Sequence, residues 1–302
     1  MKNILLTGAY GFLGKVIASH LRLLNFGLKT IGKRPEDDFW LDLSTNDAPS
    51  INGSFDTVIH CAGKAHSVPK TEKEKQEFFD INVKGTQNLL RGLEASPVLP
   101  RSFVLISTIA VYGKETGTLI DEESLLLAKD PYGLSKIQAE QLIQEWCLKM
   151  NIICTILRLP LIAGPNPPGN LKAMINAIFK GFYFDIAGGK ARKSIVLAED
   201  VAEIIPEVTG VGGIYNLTDG FHPSFSALSE SIASQLGKRR PMNISVRLAT
   251  LMAKIGDLVG KKAPINSDKL RKITSDLTFD DAKARSVLGW QPRSVIRYFK
   301  IK

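Results

Sequence analysis

No stretch of the 302-residue chain stays apolar long enough to cross a bilayer. The longest apolar runs, VLISTIAVYG at 104–113 and NIICTILRLPLIAG at 151–164, are short or broken by Arg158 and Pro160, and the opening MKNILLTGA reaches glycine after three strongly apolar residues. Neither a membrane span nor a cleaved signal peptide is expected, and a cytoplasmic, water-soluble protein is. Cysteine is scarce: Cys61, Cys147 and Cys154 are scattered in apolar sequence, which suits free thiols and excludes a disulfide framework or a thiolate metal site. No metal is expected. Glutamate is missing from the tail, where sixteen Lys or Arg from Lys238 onward stand against five Asp, so the net charge of +9 belongs there and residues 1–237 are close to neutral. Basic segments interleaved with aromatics, the mark of a nucleic-acid reader, are absent. The tail is then either a solvated face or a surface that attracts nucleotide diphosphates or an anionic membrane.

With 44% hydrophobic and 23% charged residues, the chain can bury one large core with a smaller lobe attached. NILLT at 3–7 feeds the turn GAYGFLG, and apolar residues then recur at helical spacing through Val16, Ile17, Leu21 and Leu24. KTIG, TVIHCAG, SFVLIST and ICTILRL read as further buried strands, separated by helical patterns through Phe78–Leu93 and from Asp130 onward. Buried strands alternating with amphipathic helices predict an α/β protein with a Rossmann-like, doubly wound parallel sheet. Residues 1–165 form the expected dinucleotide-binding domain, 195–220 return to it, and 166–302 make a smaller substrate-binding lobe.

Gly8, Gly11 and Gly14 follow a strand and open a helix, where missing Cβ atoms allow a tight turn and a pyrophosphate can meet free helix N–H groups. Eighteen residues beyond Gly14, a site preferring NAD would carry an acid to hold the adenosine ribose; here stand Gly32, Lys33 and Arg34. A basic pair favours a 2′-phosphate, so NADP is the expected cofactor and NAD the alternative. Tyr132 and Lys136 lie one helical turn apart, so the ammonium is expected under the phenol, favouring its ionised form.

These motifs, with LDLS at 41–44, HCAG at 60–63, NVKGTQNLL at 82–90, STIAVYG at 107–113 and LGWQP at 288–292, resemble the extended short-chain dehydrogenase/reductases, in particular the NAD-dependent epimerase/dehydratase family acting on nucleotide sugars. The resemblance implies a catalytic set of Thr108, Tyr132 and Lys136, with Ser107 as the neighbouring alternative to Thr108. It implies cofactor contacts from Gly8, Gly11, Phe12, Leu13, Gly14, Asp42, Leu43, Ala62, Gly63, Asn82, Tyr132, Lys136 and Pro160, beside Lys33 and Arg34. Substrate contacts are implied for His66, Thr108, Asn170, Leu171, Arg192 and Lys193, and pairing of long helices in a homodimer is implied as well.

Dehydratases of this family follow the catalytic Thr with an Asp-Glu pair, and this chain has Ile109 and Ala110, so elimination of water is disfavoured. What remains is chemistry at one carbinol. The expected reaction is NADPH-dependent 4-reduction of a UDP-4-keto-6-deoxy-hexosamine for surface polysaccharide, with NAD-dependent UDP-hexose 4-epimerisation as the alternative. A non-enzymatic NADP sensor or scaffold is opposed by the intact Thr108, Tyr132 and Lys136.

Overall fold

The computed structural model describes residues 2–45, 49–65, 67–259 and 265–301. Strand β1 (Asn3–Thr7) is buried along four of its five residues and leads through the glycine turn into α1 (Phe12–Leu23), whose Leu13, Ile17, Ala18 and Leu21 face the sheet. There follow β2 (Gly27–Gly32), β3 (Phe39–Trp40), β4 (Thr57–His60), α2 (Glu72–Phe79), α3 (Gly85–Glu94) and β5 (Ser102–Thr108). Helices α2 and α3 are joined through a single π-helical turn at Asp80–Lys84, so the predicted helix through Phe78 and Leu93 carries an extra residue per turn in its middle. After β6 (Gly117–Ile120) comes α4 (Pro131–Met150). Asp130 caps it by accepting the Gly133 N–H at 3.1 Å, and proline opens its first turn, where no N–H is needed.

Strands β7 (Ile153–Leu159) and β11 (Gly213–Asn216) complete a seven-stranded sheet in the order β11-β7-β5-β4-β1-β2-β3. Every pairing in it is parallel. Sequence order reverses between β1 and β4, and the crevice beyond their carboxyl ends is where an open sheet of this kind receives a ligand. Each face has its own core. Ile4, Leu6, Ile17, Val104 and Leu157 pack with α1 and with α6 (Ala198–Val208) on one side, and Leu5, Val58, Phe103, Ile143 and Trp146 pack under α3 and α4 on the other.

Apart from α10 (Ala282–Leu288), which packs back on the main sheet, the remaining elements form the smaller lobe: β8 (Leu161–Ala163), α5 (Gly169–Phe179), β9 (Phe184–Ile186), β10 (Ile195–Leu197), α7 (Phe225–Gln235), β12 (Met242–Ile244), α8 (Val246–Val259), α9 (Ser267–Thr274), β13 (Leu277–Phe279) and α11 (Val295–Tyr298). Parallel strand pairs β8–β10, β9–β12 and β6–β13 staple it. Its core gathers Leu171, Ile195, Leu228, Ile232 and Phe299. The chain crosses back near its end, where Ala284 and Trp290 enter the α1 and α6 core and the Trp290 indole N–H donates to the Thr218 carbonyl at 3.0 Å.

Candidate active site

The glycine turn is closed on the neighbouring strand. Gly8 has φ +71°, and a Cβ there would lie 2.7 Å from the Ala62 nitrogen; one on Gly14 would lie 2.0 Å from the Gly8 oxygen. Only glycine lets these segments approach so closely. Gly11 precedes α1 without a side-chain cap, leaving the first-turn N–H groups for an anion. Behind the turn runs a chain of donors: the Ala62 N–H donates to Thr7 Oγ1 (2.9 Å), whose hydroxyl donates to His60 Nδ1 (2.7 Å). His60 Nε2–H then donates to Thr86 Oγ1 (3.0 Å), which donates to the Asn82 carbonyl (2.6 Å). That donor order assigns His60 as the neutral Nε2–H tautomer. Burial, with Lys136 nearby, pushes its pKa down to about 3. His60 is thus structural. Asn82 acts on the same loop from the π-helical turn, accepting from Lys64 N at 2.7 Å and donating to Lys64 O and Ser135 Oγ. It shapes the wall rather than lining the cavity.

A cavity of about 590 Å³ opens at the carboxyl ends of the strands. Gly11, Phe12, Leu13, Gly14, Ala62 and Gly63 line one end, and Thr108, Tyr132, Lys136 and Pro160 line its middle. The Tyr132 phenol faces the Thr108 hydroxyl, which accepts the Ala110 N–H at 3.2 Å and caps the turn after β5. Lys136 differs from expectation. Its ammonium donates to the Ile106 carbonyl at 2.8 Å, and burial pushes it down to about 8 against the pull of Glu140 and Cys61. Burial holds the Tyr132 phenol above the usual tyrosine range, with the Thr108 hydroxyl working the other way and the Asp130 carboxylate adding to the rise. Helical spacing places Lys136 on the right face, but its ammonium turns to the β5 carbonyl instead of the phenol, and burial favours the protonated phenol.

Beneath this pair lies a polar cluster absent from the sequence reading. Arg158 Nη2 meets Glu140 Oε2 at 2.7 Å with both side chains buried. Ser107 donates to Glu140, while Arg158 Nη1 donates to the Tyr112 hydroxyl at 3.1 Å and Tyr112 donates to Asn216 Oδ1 at 2.8 Å. Ser107 is therefore committed to Glu140, and Thr108 is the hydroxyl that faces Tyr132. The cluster ties β5, β7, β11 and α4 together below the reacting groups.

At the end of β2 the expected basic pair is present but engaged. Lys33 pairs with Asp42 at 2.9 Å, and the Arg34 guanidinium lies 5.1 Å from the centre of the Tyr10 ring. The space beside Gly32 is not free of acid. Asp37, five residues on and 7% exposed, folds its carboxylate back so that a Cβ on Gly32 would lie 2.5 Å from its Oδ2. Oδ2 accepts the Arg34 N–H at 3.1 Å, and Oδ1 is, among the described residues, the buried side-chain oxygen without a hydrogen-bond partner. Leu43 is buried in the core beside α3 and does not line the cavity.

On the lobe side, Asn170 and Lys193 line the cavity. Leu171 does not, because the next step of α5 turns it into the lobe core. Arg192 is also elsewhere: its guanidinium donates to the Phe221 and His222 carbonyls, with the His222 distance 2.9 Å. Lys193 Nζ donates to the Lys272 and Ser275 carbonyls, each at 3.0 Å, and burial pushes its pKa down. His66 lies outside the described residues. Cys61 and Lys64, which flank Ala62 and Gly63, join the lining, as do Ser194, Phe225 and Leu277, whose neighbourhood is created by the lobe folding over the sheet.

A sequence profile of the NAD dependent epimerase/dehydratase family matches residues 4–216. The chain belongs to that family. It is accordingly an extended short-chain dehydrogenase/reductase enzyme, of a kind that uses a nicotinamide dinucleotide. It is 27% identical to an Escherichia coli O157:H7 protein, N-acetyl-alpha-D-glucosaminyl-diphospho-ditrans,octacis-undecaprenol 4-epimerase, over 94% of this chain and 89% of that one. It is 25% identical to the UDP-glucose 4-epimerase of Vibrio cholerae over 98% and 92% of the two chains. Its fold matches the UDP-glucose 4-epimerase of Thermotoga maritima with a TM-score of 0.74, at 18% identity, covering 99% of this chain and 96% of that one. The residues present fit a dinucleotide: free N–H groups at the start of α1, a turn where no Cβ has room, and an orphaned carboxylate oxygen one strand away.

Proposed function

We propose that this enzyme interconverts configuration at one sugar carbinol, C4, on a sugar carried by a diphosphate, using NAD that it retains. Thr108 and Tyr132, whose hydroxyls face each other on the cavity wall, carry the reading. When bound, the nicotinamide supplies the hydride acceptor and donor. Tyr132 exchanges one proton with the sugar oxygen seated against Thr108: as the phenolate it takes the proton from the C4 hydroxyl in the oxidative half, and as the phenol, the form burial favours, it returns that proton to the ketone oxygen in the reductive half. Thr108, fixed by the Ala110 N–H, sets where that oxygen sits. Glu140 and Arg158 hold the β5 end from which Thr108 projects.

Among the described residues lining the cavity there is no carboxylate, and Ile109 and Ala110 stand beside Thr108, which supports carbinol chemistry over elimination of water. Lys193 offers a cation to the diphosphate, and Asn170 a side-chain amide at the rim. The full-length similarity to 4-epimerases acting on a UDP-sugar and on a polyprenyl-diphosphate sugar supports the same chemistry with either carrier. Retained NAD rests on the Asp37 carboxylate folded beside Gly32 at the end of β2, a negative charge that suits ribose hydroxyls and repels a 2′-phosphate. NADPH-dependent 4-keto reduction is the second reading, favoured by Arg34, which stacks on Tyr10 rather than on an acid, and by the protonated phenol.

Incubating the pure enzyme, without added reductant, with UDP-N-acetylglucosamine or its polyprenyl-diphosphate counterpart tests the assignment. Appearance of the galacto isomer supports it. Turnover only of a 4-keto sugar, with consumption of NADPH, replaces it with the reductase.

A further inference from the structure

Helix α8 lies on the lobe with its sides reversed. Ala249, Ala253 and Gly256 face the protein and are buried, while Leu248, Leu251, Met252, Ile255 and Leu258 face out, from 41% exposed at Met252 to 89% at Leu258. At about 100° per residue these five share one arc of roughly 120° on the side away from the small-residue contact. Five large apolar side chains in one exposed arc, opposite the buried small residues, are more than scattered surface hydrophobes, and such a face marks a partner.

Charge points to the kind of partner. Arg247 and Lys254 project along one border of the apolar arc, and Lys238, Arg239 and Arg240 lie immediately ahead of the strand that leads into it. The apolar surface also continues into that strand: Met242 pairs in register with Phe184, and both side chains are exposed. The cations flanking this face favour a surface of anionic headgroups over the shaped groove a second protein would meet. An apolar arc bordered by Lys and Arg is the form of a helix that lies in the headgroup region of an anionic bilayer. Through α8's packing on α9, whose Lys272 carbonyl accepts from the cavity residue Lys193, the helix is also mechanically joined to the rim of the active site.

We propose that α8 docks this enzyme on the surface of an anionic phospholipid membrane, lying parallel to it. The inference stands on the helix alone and does not depend on which sugar is converted. Co-sedimentation with phosphatidylglycerol–phosphatidylethanolamine vesicles, against phosphatidylcholine vesicles, tests it with the full chain. The wild type is expected to sediment with the anionic vesicles and remain in solution with the neutral ones. The triple variant Leu251→Ser, Ile255→Ser, Leu258→Ser is expected to lose at least about tenfold in partitioning, since burying even one leucine accounts for that much. Arg247→Glu with Lys254→Glu is expected to weaken binding and remove its dependence on salt. All these side chains are exposed, so an unchanged melting temperature and unchanged NADH binding show that the variants are folded. Failure of the wild type to sediment at low salt overturns the proposal, as does sedimentation of the triple variant like the wild type. A wild-type dimer that the triple variant converts to monomer in the absence of lipid overturns it in favour of a second copy on the same face.

Discussion

Replacing Asp37 by Asn should exchange the enzyme's preference between the two dinucleotides. The carboxylate sits in the space beside Gly32 with Oδ1 unpartnered, while Oδ2 accepts the Arg34 N–H. A hydrogen bond to a charged acceptor contributes about 1.5–3 kcal/mol, so loss of the charge should weaken NADH by roughly 10- to 150-fold. NADPH should gain, because a carboxylate about 5 Å from a phosphate charge costs on the order of 3 kcal/mol at an effective dielectric constant near 20. The asparagine oxygen can still accept the Arg34 N–H, so the turn keeps its shape. Gly32→Ala tests the geometry independently: the new Cβ, 2.5 Å from Oδ2, must push the carboxylate away and should likewise weaken NADH. Asp38→Asn is the control, since that carboxylate is engaged by Lys29 and by the Thr30 N–H, both at 2.8 Å. Titrations followed by nicotinamide fluorescence give all the affinities. If Asp37→Asn leaves both dinucleotides unaffected while Lys33→Ala or Arg34→Ala removes NADPH binding, the argument for Asp37 is refuted and the basic pair decides the cofactor.

Glu140→Gln should lower the melting temperature sharply, because it strands the buried Arg158 guanidinium, a loss of about 3–5 kcal/mol; Glu140→Gln with Arg158→Met should recover part of it, and equal melting temperatures for wild type and single variant would contradict this. His60 predicts an acid-side effect. Its folded pKa, near 3, lies below the ordinary 6.5, so its contribution is complete above pH 6.5 and is lost as pH falls from there toward 3, at about 1.4 kcal/mol per pH unit. Denaturation curves at several pH values should show that slope, and His60→Gln should remove this residue's share of it. Lys193→Ala should raise KM for a sugar diphosphate while leaving NADH affinity unchanged, as befits a cation on the lobe side of the cavity; an unchanged KM would remove it from the substrate site.

The sheet was readable because its signals are local. A strand, a glycine turn and a helix follow each other within twenty residues, and Asp130 and Pro131 announce α4 directly. Positions within the site were less so. Arg192 and Lys193 are adjacent in sequence, yet only the second lines the cavity, because the Phe221 and His222 carbonyls, some thirty residues away, capture the first. Asp37 was hidden by register: the acid is absent at Gly32 and returns through a turn that doubles back on the strand. The fate of Lys136 depended on the Ile106 carbonyl, which helical spacing alone does not reveal. The outward arc of α8, at 248, 251, 252, 255 and 258, went unread behind the basic charge of the tail, and which side of the helix faces the protein is set by tertiary packing.

The proton carried by Tyr132 is the centre of the account, and Tyr132→Phe removes it while keeping the ring that lies 6.0 Å from Phe78. The decisive measurement is the rate at which this variant converts UDP-N-acetylglucosamine, followed by NMR beside its affinity for NADH. The account predicts a rate lower by roughly 10²- to 10⁴-fold with NADH bound as tightly as before. Conversion at the wild-type rate would contradict it.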